Sequence, residues 1–376
     1  MINLHLALNS ITGDSRILKE TQSIADSNFF ERVEIAGIRD PEDLATETLG
    51  KCHISRFSLR GRGLPKDLLN QGLKYLEWHW RVVQAYANKP LTVIHCHDFH
   101  PLAIAIHLKQ LTGAKIVYDA HELETERTGL RGMRQSIVRL QEKLLWPYID
   151  AFITVSPSIK AWYQSHYTAV PTALVRNIPN CPLSISPKPL RQQFKVPDRA
   201  LLFLYFGYLS KARGIELCLE AFQSEQVPHH LLFMGDGSLK EVILAAQKSC
   251  PRIHWLSPVP HYEVVNYAAG ADVGISLIED VSLNERYVLP NKLFESLLGG
   301  IPVLASALPD QSEIINTYNA GWLIQPSRDI LIDWLTNITP IEAMQLRHGL
   351  RERVNTLTWQ KESEQLVDLY QKILKI

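Results

Sequence analysis

The sequence lacks several features that would assign it to a protein class at once. None of its five cysteines forms a CxxC pair, which argues against a disulfide scaffold or a structural zinc site. No apolar run approaches the ~18 residues of a membrane span, and no basic segment precedes an apolar stretch at the start. We therefore expect a cytoplasmic protein with reduced thiols and no signal peptide.

An excess of charge of either sign is also missing. The 376 residues contain 39 Lys plus Arg and 39 Asp plus Glu, so the formal net charge is zero. A dedicated nucleic-acid binder normally carries a basic excess, so nucleic acid is not expected as a partner. The 46% of hydrophobic residues is typical of a globular chain with large cores, and the length favours two domains.

Short apolar segments, such as the strand predicted over 91–95, alternate with helical patterns along the chain. This alternation is typical of an α/β fold with a parallel sheet covered by helices. A stretch rich in Pro and Ser predicts a linker over 181–200. It separates a Rossmann-like domain over 1–180 from a second one over 201–359, and an amphipathic helix over about 360–376 is predicted to pack back on the first. Ligands of such sheets bind beyond the carboxyl ends of the strands, here in a cleft between the domains.

Polar side chains gather where two predicted strands of the first domain end. They are, in chain order, His95, His97, Asp98, His100, Asp119, His121 and Glu122. Polar residues at strand ends are often functional. A metal bound by His97, Asp98 and His121 is one alternative, although no HExxH-type spacing is present. Hydrogen bonds from His95 and His100 to loop backbone, with capping of the next helix, are another.

Glycines follow two predicted strands of the second domain. Gly207 lets the backbone approach a ligand, and Arg213, six residues on, can reach an anion such as phosphate; an ordinary surface turn is the alternative. The Gly235–Gly237 segment lacks the third glycine of the dinucleotide fingerprint, so a tight turn between strand and helix is predicted there.

The segment LPNKLFESLLGGIPV over 289–303 is the most informative one. It predicts a short helix that begins near Pro290 and ends at the glycine pair. Its first amides and Lys292 would form an anion site. Glu295, one turn further on, can accept two hydrogen bonds from a ribose diol, while an exposed helix face is the alternative for this residue.

These segments resemble the retaining glycosyltransferases of family four, whose GT-B fold consists of two facing Rossmann-like domains with a deep interdomain cleft. The resemblance covers nearly the whole chain. The matching segments, in the family's order, are GDSRILKE (13–20), VIHCHDFHPLA (93–103), VYDAHELETE (117–126), YFGYLSKARGI (205–215), LLFMGDG (231–237), GADVGISLIE (270–279) and LPNKLFESLLGGIPVLAS (289–306).

The resemblance implies roles for individual residues. Glu295 matches the glutamate that holds the donor's ribose. The residues expected on the donor side, chiefly around the diphosphate, are Gly207, Arg213, Asn291, Lys292 and Leu293. Those expected on the acceptor or sugar side are Gly13, Asp14, His97, Asp98 and His121. Of all these, His121, Arg213 and Lys292 are expected to act on the reacting groups.

Three positions depart from the family's pattern. Tyr287 stands where the first glutamate of the E-x7-E motif, which holds the sugar, is expected, and Glu285 lies two residues away. Tyr208 stands where many members have an arginine, which leaves more of the phosphate charge to Arg213 and Lys292. The first loop has one glycine, Gly13, where many members have two.

The resemblance implies transfer of a hexosyl unit from a nucleoside diphosphate sugar, by default a UDP-sugar, to a hydroxyl acceptor with retention of configuration. No metal or other cofactor is expected. A donor phosphate oxygen would take the acceptor's proton in a front-face attack, with His121 positioning the sugar. A nucleotide-sugar epimerase on the same fold, or a sugar-nucleotide-binding scaffold impaired by Tyr287, are the alternatives.

Residues 127–143 hold five basic residues against one acid, and an amphipathic helix is predicted there. Its apolar positions are Ile137, Leu140, Leu144 and Tyr148. Peripheral contact with an anionic membrane, to reach a lipid-linked acceptor, is one interpretation of this pattern. Packing of the apolar face on its own domain is the other.

Overall fold

The computed structural model describes residues 1–65, 67–182 and 184–375. Leu183 of the predicted linker and Ile376 at the end of the predicted last helix lie outside the described residues.

The chain divides into two compact units. Unit 1 comprises Met1–Arg176 and the chain from Glu362 onward, and unit 2 comprises Asn177–Lys361. The division therefore falls four residues before the predicted domain end at residue 180, and the stretch predicted as a linker belongs to unit 2.

Unit 1 contains one eight-stranded sheet flanked by helices. Its elements are β1 (Ile2–Leu6), α1 (Ser15–Asp26), β2 (Arg32–Ile38), β3 (Thr46–Leu49), β4 (Cys52–Phe57), α2 (Leu68–Tyr86), β5 (Leu91–His97), α3 (Leu102–Thr112), β6 (Lys115–Ala120), α4 (Gly132–Leu145), β7 (Ala151–Thr154), α5 (Pro157–His166) and β8 (Thr172–Leu174). The strand order is β3-β4-β2-β1-β5-β6-β7-β8. Among the described residues of this sheet, β3 at the edge is the only strand that pairs antiparallel, and its partner is β4.

Unit 2 contains a six-stranded parallel sheet. Its elements are α6 (Leu190–Gln193), β9 (Leu202–Phe206), α7 (Ile215–Phe222), β10 (His230–Met234), α8 (Lys240–Ser249), β11 (Ile253–Leu256), α9 (Val264–Ala269), β12 (Val273–Ser276), α10 (Leu283–Arg286), α11 (Asn291–Leu298), β13 (Val303–Ser306), α12 (Pro309–Tyr318), β14 (Gly321–Ile324), α13 (Arg328–Asn337), α14 (Pro340–Arg347), α15 (Leu350–Arg353) and the start of α16 (Trp359–Leu374). The strand order is β11-β10-β9-β12-β13-β14.

Strand β9 shows why these sequences form buried parallel strands. Its side chains alternate between two cores: Phe203 and Tyr205 pack in one cluster, and Leu202, Leu204 and Phe206 in the other. Since successive side chains of a strand point to opposite faces, a continuous apolar run is needed where helices cover both faces. The α/β fold class predicted from such runs is confirmed.

Two segments differ from the sequence-based predictions. The predicted linker contains α6, because the apolar side chain of Leu190 is buried in the same cluster as Leu202. The helix predicted over 127–143 begins only at Gly132 and runs to Leu145.

Helix α16 belongs to unit 1 from Glu362 onward. Glu362 accepts hydrogen bonds from the backbone amide of Arg176 (2.7 Å) and from its guanidinium (2.6 Å). Tyr370 is fully buried, and its hydroxyl lies 2.8 Å from Nδ1 of His95. The last helix thus contributes a polar group to the interior of the first sheet. Within the described ranges, no helix combines the length and apolar character needed to cross a bilayer.

Candidate functional site

Each sheet has one place where the strand order reverses direction. It lies between β1 and β5 in unit 1 and between β9 and β12 in unit 2. Ligands of open α/β sheets bind at the carboxyl ends of the strands that flank such a switch point. The candidate residues follow these four strands and their neighbours, so each unit is described in turn.

In unit 1, a cavity of about 250 Å³ opens at the switch point. Its lining residues are Ala7, Leu8, Asn9, Asp14, Ile17, His97, Asp98, His100 and His121. The structure thus brings together four of the five residues predicted on the acceptor or sugar side. The fifth, Gly13, precedes Asp14 with a φ of 77°, and a Cβ there would meet no atom within 4 Å.

His121 is held between two carboxylates. Its Nε2 lies 2.9 Å from Oδ2 of Asp119, and its Nδ1 lies 3.6 Å from Oδ2 of Asp98. Burial lowers the pKa of this imidazole, but the two carboxylates outweigh burial and raise the pKa to about 9. His121 is therefore an imidazolium at neutral pH, which can donate hydrogen bonds but cannot accept a proton.

Asp98 orients His121 through a local backbone distortion. It has a φ of 67°, in the left-handed region that Asp tolerates better than most residues. Its carboxylate accepts a hydrogen bond from the backbone amide of His121 (3.2 Å), while its own amide donates to the carbonyl of Asp119 (2.8 Å). Strain of this kind accumulates at functional sites.

A charged cluster lies beneath this cavity. The Arg16 guanidinium bonds both carboxylate oxygens of Asp119, at 2.8 and 3.3 Å, and lies 2.9 Å from Glu20. Burial alone would raise the pKa of Asp119, but Arg16 and His121 hold it well below its usual range. Burial raises the pKa of Glu20 to about 8. The negative charge of Asp119 is thus balanced within the protein by Arg16 and His121.

Three buried histidines stack beside this cluster. The rings of His5 and His97 each lie 4.5 Å, centroid to centroid, from that of His95. Burial lowers the pKa of all three, to about 3 for His95. They are therefore neutral at physiological pH, unlike His121.

Of the hydrogen-bonding alternative, the loop-backbone contact is wrong for His95 and the capping of the next helix is wrong for both His95 and His100. His95 and His97 lie within β5, which continues past the predicted end at residue 95 because it pairs with β6 as far as His97. His95 bonds the Tyr370 hydroxyl rather than loop backbone. Helix α3 has Pro101 at its N-cap and no side-chain cap.

The metal alternative named His97, Asp98 and His121, and among the described residues these three do not form a cluster of possible metal ligands, although two other sets that include His97 do. Ligand atoms of Glu20, His95, His97 and Asp119 lie within 4.8 Å of one another, as do those of His5, His95 and His97. Arg16 already contacts both carboxylates, and a second cation there would be repelled. The set that contains Glu20 and Asp119 therefore fits a metal ion poorly, and metal-independent chemistry stays a prediction.

In unit 2, the candidate residues lie around β9 and the start of α11. Gly207 follows β9 with a φ of 117°, and a Cβ there would point into open space. Nη1 of Arg213 lies 3.6 Å from Oε2 of Glu285. Lys292 is buried, with its Nζ 3.6 Å from the ring centroid of Tyr205. Burial and the charge of Arg213 lower the pKa of Lys292 to about 7. Two cationic groups therefore lie near one another at this strand end.

Helix α11 begins and ends as predicted, with Pro290 at its N-cap and Gly299 at its C-cap. Glu295 is 5% exposed, so the alternative of an exposed helix face is wrong. Its Oε1 lies 3.5 Å from Nδ1 of His261. Asn291 is exposed, whereas Leu293 is fully buried in the core and offers a ligand only its backbone.

The turn predicted at Gly235 and Gly237 is confirmed. A Cβ on Gly235 would lie 2.0 Å from the carbonyl oxygen of Gly207, and one on Gly237 would lie 2.4 Å from that of Leu209. These glycines let two strand-end loops touch through their backbones. Their role is thus to shape the loop that carries Gly207.

Several functional candidates were missed from the sequence. Arg16 and Glu20 have the i,i+4 spacing of a helical ion pair, a signal present in the sequence. The pairing of Glu285 with Arg213 carried no comparable signal, because the two residues are far apart in the chain. Tyr287, which the sequence already marked as a departure from the E-x7-E motif, is half-buried at the C-cap of α10.

Comparisons with known proteins agree with this architecture. The family model Glycosyltransferase Family 4 matches residues 32–181, and the model Glycosyl transferases group 1 matches residues 200–339. No curated protein sequence matches the chain.

Solved structures with the same fold cover essentially the whole chain. Sucrose-phosphate synthase from Thermosynechococcus elongatus superposes with a TM-score of 0.81 at 18% identity, over 100% of this chain and 99% of that one. Anabaena Alr3699/HepE in complex with UDP and glucose gives 0.72 at 16% identity, over 99% and 100%. Trehalose-6-phosphate from E. coli bound with UDP-2-fluoro glucose, as that structure is described, gives 0.68 at 11% identity, over 99% of each chain. These structures show the GT-B fold, and the two family models, over residues 32–181 and 200–339, make the chain a member of glycosyltransferase family four.

Proposed function

We propose that this glycosyltransferase moves a hexosyl unit from UDP-sugar to a hydroxyl acceptor, with retention of configuration and without a metal ion. The observation that carries the proposal is the pair of cationic side chains Arg213 and Lys292 at the β9 switch point. Glu285 lies 3.6 Å from Arg213, yet burial and the charge of Arg213 still lower the pKa of Lys292, so a bound diphosphate would favour the charged form of this lysine. Structures of the same fold hold UDP, glucose or UDP-glucose, as in Anabaena Alr3699/HepE.

Unit 2 takes the donor in this proposal. Arg213, Lys292 and the amides at the start of α11 bind the diphosphate, and Glu295 accepts hydrogen bonds from the ribose hydroxyls. Gly207 allows the backbone to approach the nucleotide, because no side chain occupies the space in front of it. The cations stabilise the negative charge that grows on the diphosphate as it leaves.

Unit 1 supplies the sugar and acceptor contacts. The acceptor hydroxyl oxygen forms the new bond to the anomeric carbon as the bond from that carbon to the phosphate oxygen breaks. The proton of the hydroxyl passes to a phosphate oxygen of the leaving diphosphate. His121 cannot take this proton, since the pKa of about 9 keeps it protonated. Its Nε2 contacts Asp119, and so its Nδ1 donates the hydrogen bond that positions the sugar.

A thermal-shift series tests the donor assignment. UDP-glucose should raise the melting temperature of the protein more than GDP-glucose or ADP-glucose at equal concentration, because only a ligand of the folded state stabilises it. A larger shift with GDP- or ADP-glucose would overturn the choice of UDP. An epimerase would convert UDP-glucose to its epimer without acceptor, and a scaffold would bind it without slow hydrolysis; either result would replace the transferase.

A further inference from the structure

Helix α4 packs on unit 1 through its polar side. Glu142 is its one buried residue, and its carboxylate accepts hydrogen bonds from Tyr163 (2.7 Å), Tyr167 (2.6 Å) and Tyr118 (3.0 Å). Burial raises the pKa of Glu142. Closer to the start of the helix, the side chains of Gln135 and Arg139 donate hydrogen bonds to the carboxylate of Glu126, which precedes the helix. Polar contacts therefore fix which side of α4 faces the protein.

The apolar side of α4 consequently faces solvent. Met133, Ile137, Leu140 and Leu144 recur at i, i+4, i+7 and i+11 and are between 49% and 81% exposed. A helix that packs on its own domain normally buries such a stripe. Of the two interpretations of residues 127–143, packing of the apolar face is thus wrong.

Helix α2 carries a second stripe with the same spacing. Leu69, Leu73, Leu76 and Trp80 are between 50% and 74% exposed. The opposite side of this helix is buried in the core through Trp78, which donates a hydrogen bond to the carbonyl of Gly37 (3.3 Å). Two helices of one unit therefore expose four large apolar side chains each, which is more than scattered surface hydrophobicity.

An apolar groove of about 350 Å³ lies between the two helices. Its lining residues are Tyr75, Phe99, His100, Ala103, Gln141, Leu144 and Leu145. His100 also lines the polar cavity that contains Asp98 and His121. Tyr75 of the groove contacts the backbone of this shared residue, because its hydroxyl donates a hydrogen bond to the carbonyl of His100 (2.9 Å). The groove thus adjoins the candidate acceptor site.

The charge around the stripe of α4 is basic. Arg131 at the N-cap, and Arg134 and Lys143 on the helix, are exposed, while the single carboxylate of the helix, Glu142, is buried. Basic side chains beside an apolar helix face are typical of contact with anionic lipid headgroups. A second copy of this chain on the same face would bring like charges together.

We infer that the acceptor is a lipid-linked hydroxyl compound at an anionic bilayer. The stripes of α2 and α4 lie in the membrane interface, the hydrocarbon chain of the acceptor occupies the groove, and its polar head reaches the cavity of Asp98 and His121. The inference rests on the proposed transferase function, and it names the class of acceptor that this function uses.

Vesicle flotation tests the docking surface. Vesicles of phosphatidylcholine mixed with phosphatidylglycerol should carry the wild type, and the double variant Ile137→Asp/Leu140→Asp should lose about tenfold or more of this partitioning. The matched control is Ile341→Asp/Met344→Asp, on two exposed residues of α14 in unit 2. Absence of wild-type flotation, or equal losses in both variants, would overturn the inference. A dimer that the α4 variant dissociates would overturn it in favour of a second copy.

Fluorescence of a dansyl-labelled dodecyl chain tests the groove. Ala103→Trp should fill the groove and weaken binding of the probe at least tenfold, whereas Ala103→Ser should bind it as the wild type does. Equal binding by the Trp variant would overturn placement of the chain in the groove. The thermal shift with UDP-glucose is recorded for every variant. A normal shift without lipid binding would refute this inference alone, and lipid binding without any nucleotide shift would refute the proposed function instead.

Discussion

The surroundings of the buried cation shift its pKa in opposite directions in the candidate sites of the two units. His121 in unit 1 lies 2.9 Å from a carboxylate, and its surroundings raise its pKa to about 9. Lys292 in unit 2 lies over an aromatic ring near Arg213, and its surroundings lower its pKa to about 7. The charge of His121 is therefore balanced by carboxylates of the protein, while the charged form of Lys292 is disfavoured, and under the proposed function an anionic ligand would favour that charged form.

Removing the central cation of unit 1 should have the largest effect. Arg16→Met should lower the free energy of unfolding by ~3–5 kcal/mol, because Asp119 loses its buried partner. Urea titration followed by circular dichroism measures this loss. In the control Arg32→Met, whose side chain is 54% exposed, the loss should stay below ~1 kcal/mol. Equal losses in both variants would show that unit 1 is not held together by this internal pairing.

His121→Ala should separate turnover from donor binding. We expect turnover to fall about 100-fold, as is typical on loss of a hydrogen-bond donor that acts in the transition state. The dissociation constant for UDP-glucose, measured by calorimetry, should change less than about threefold. His166→Ala, an exposed histidine of unit 1, serves as the control. Unchanged turnover in His121→Ala would remove this residue from the reaction.

Glu295→Ala should show the converse behaviour in unit 2. Loss of the ribose contacts should weaken binding of UDP-glucose at least tenfold, since a hydrogen bond to a charged group contributes ~1.5–3 kcal/mol. Glu220→Ala, an exposed glutamate on α7, should bind as the wild type does. Calorimetry that gives wild-type affinity for Glu295→Ala would refute the ribose role.

The same contrast explains what the sequence could predict. The site of unit 2 could be predicted from local signals. Pro290 and Gly299 mark the two ends of a short helix. This helix determines the side on which Lys292 and Glu295 lie. Local signals of that kind depend on residues close together in the chain, so the order of elements and the burial of Glu295 followed from them.

The cluster of unit 1 depends on long-range contacts. Arg16 and Asp119 are 103 positions apart, and His95 meets Tyr370 across 275 positions. No sequence pattern joins such pairs. The sequence left two interpretations of α4 open for a related reason. Glu142 is held by tyrosines of β6, of α5 and of the segment that follows α5, and periodicity within the helix cannot reveal such contacts.

The smallest expected effect is the pH dependence of donor binding. In the unliganded protein, Lys292 loses its proton as the pH rises through about 7, and a bound diphosphate favours the charged amine, so binding above that pH takes up a proton. The affinity for UDP-glucose should therefore weaken several-fold between about pH 7 and about pH 8.5. The diphosphate of this donor is a diester with no proton to lose in that range. Lys292→Met should bind weakly and without this pH dependence, whereas Lys211→Met, an exposed lysine of the loop between β9 and α7, should keep it. A flat profile in the wild type would mean that Lys292 is compensated within the protein as His121 is, and the contrast between the two units would be lost.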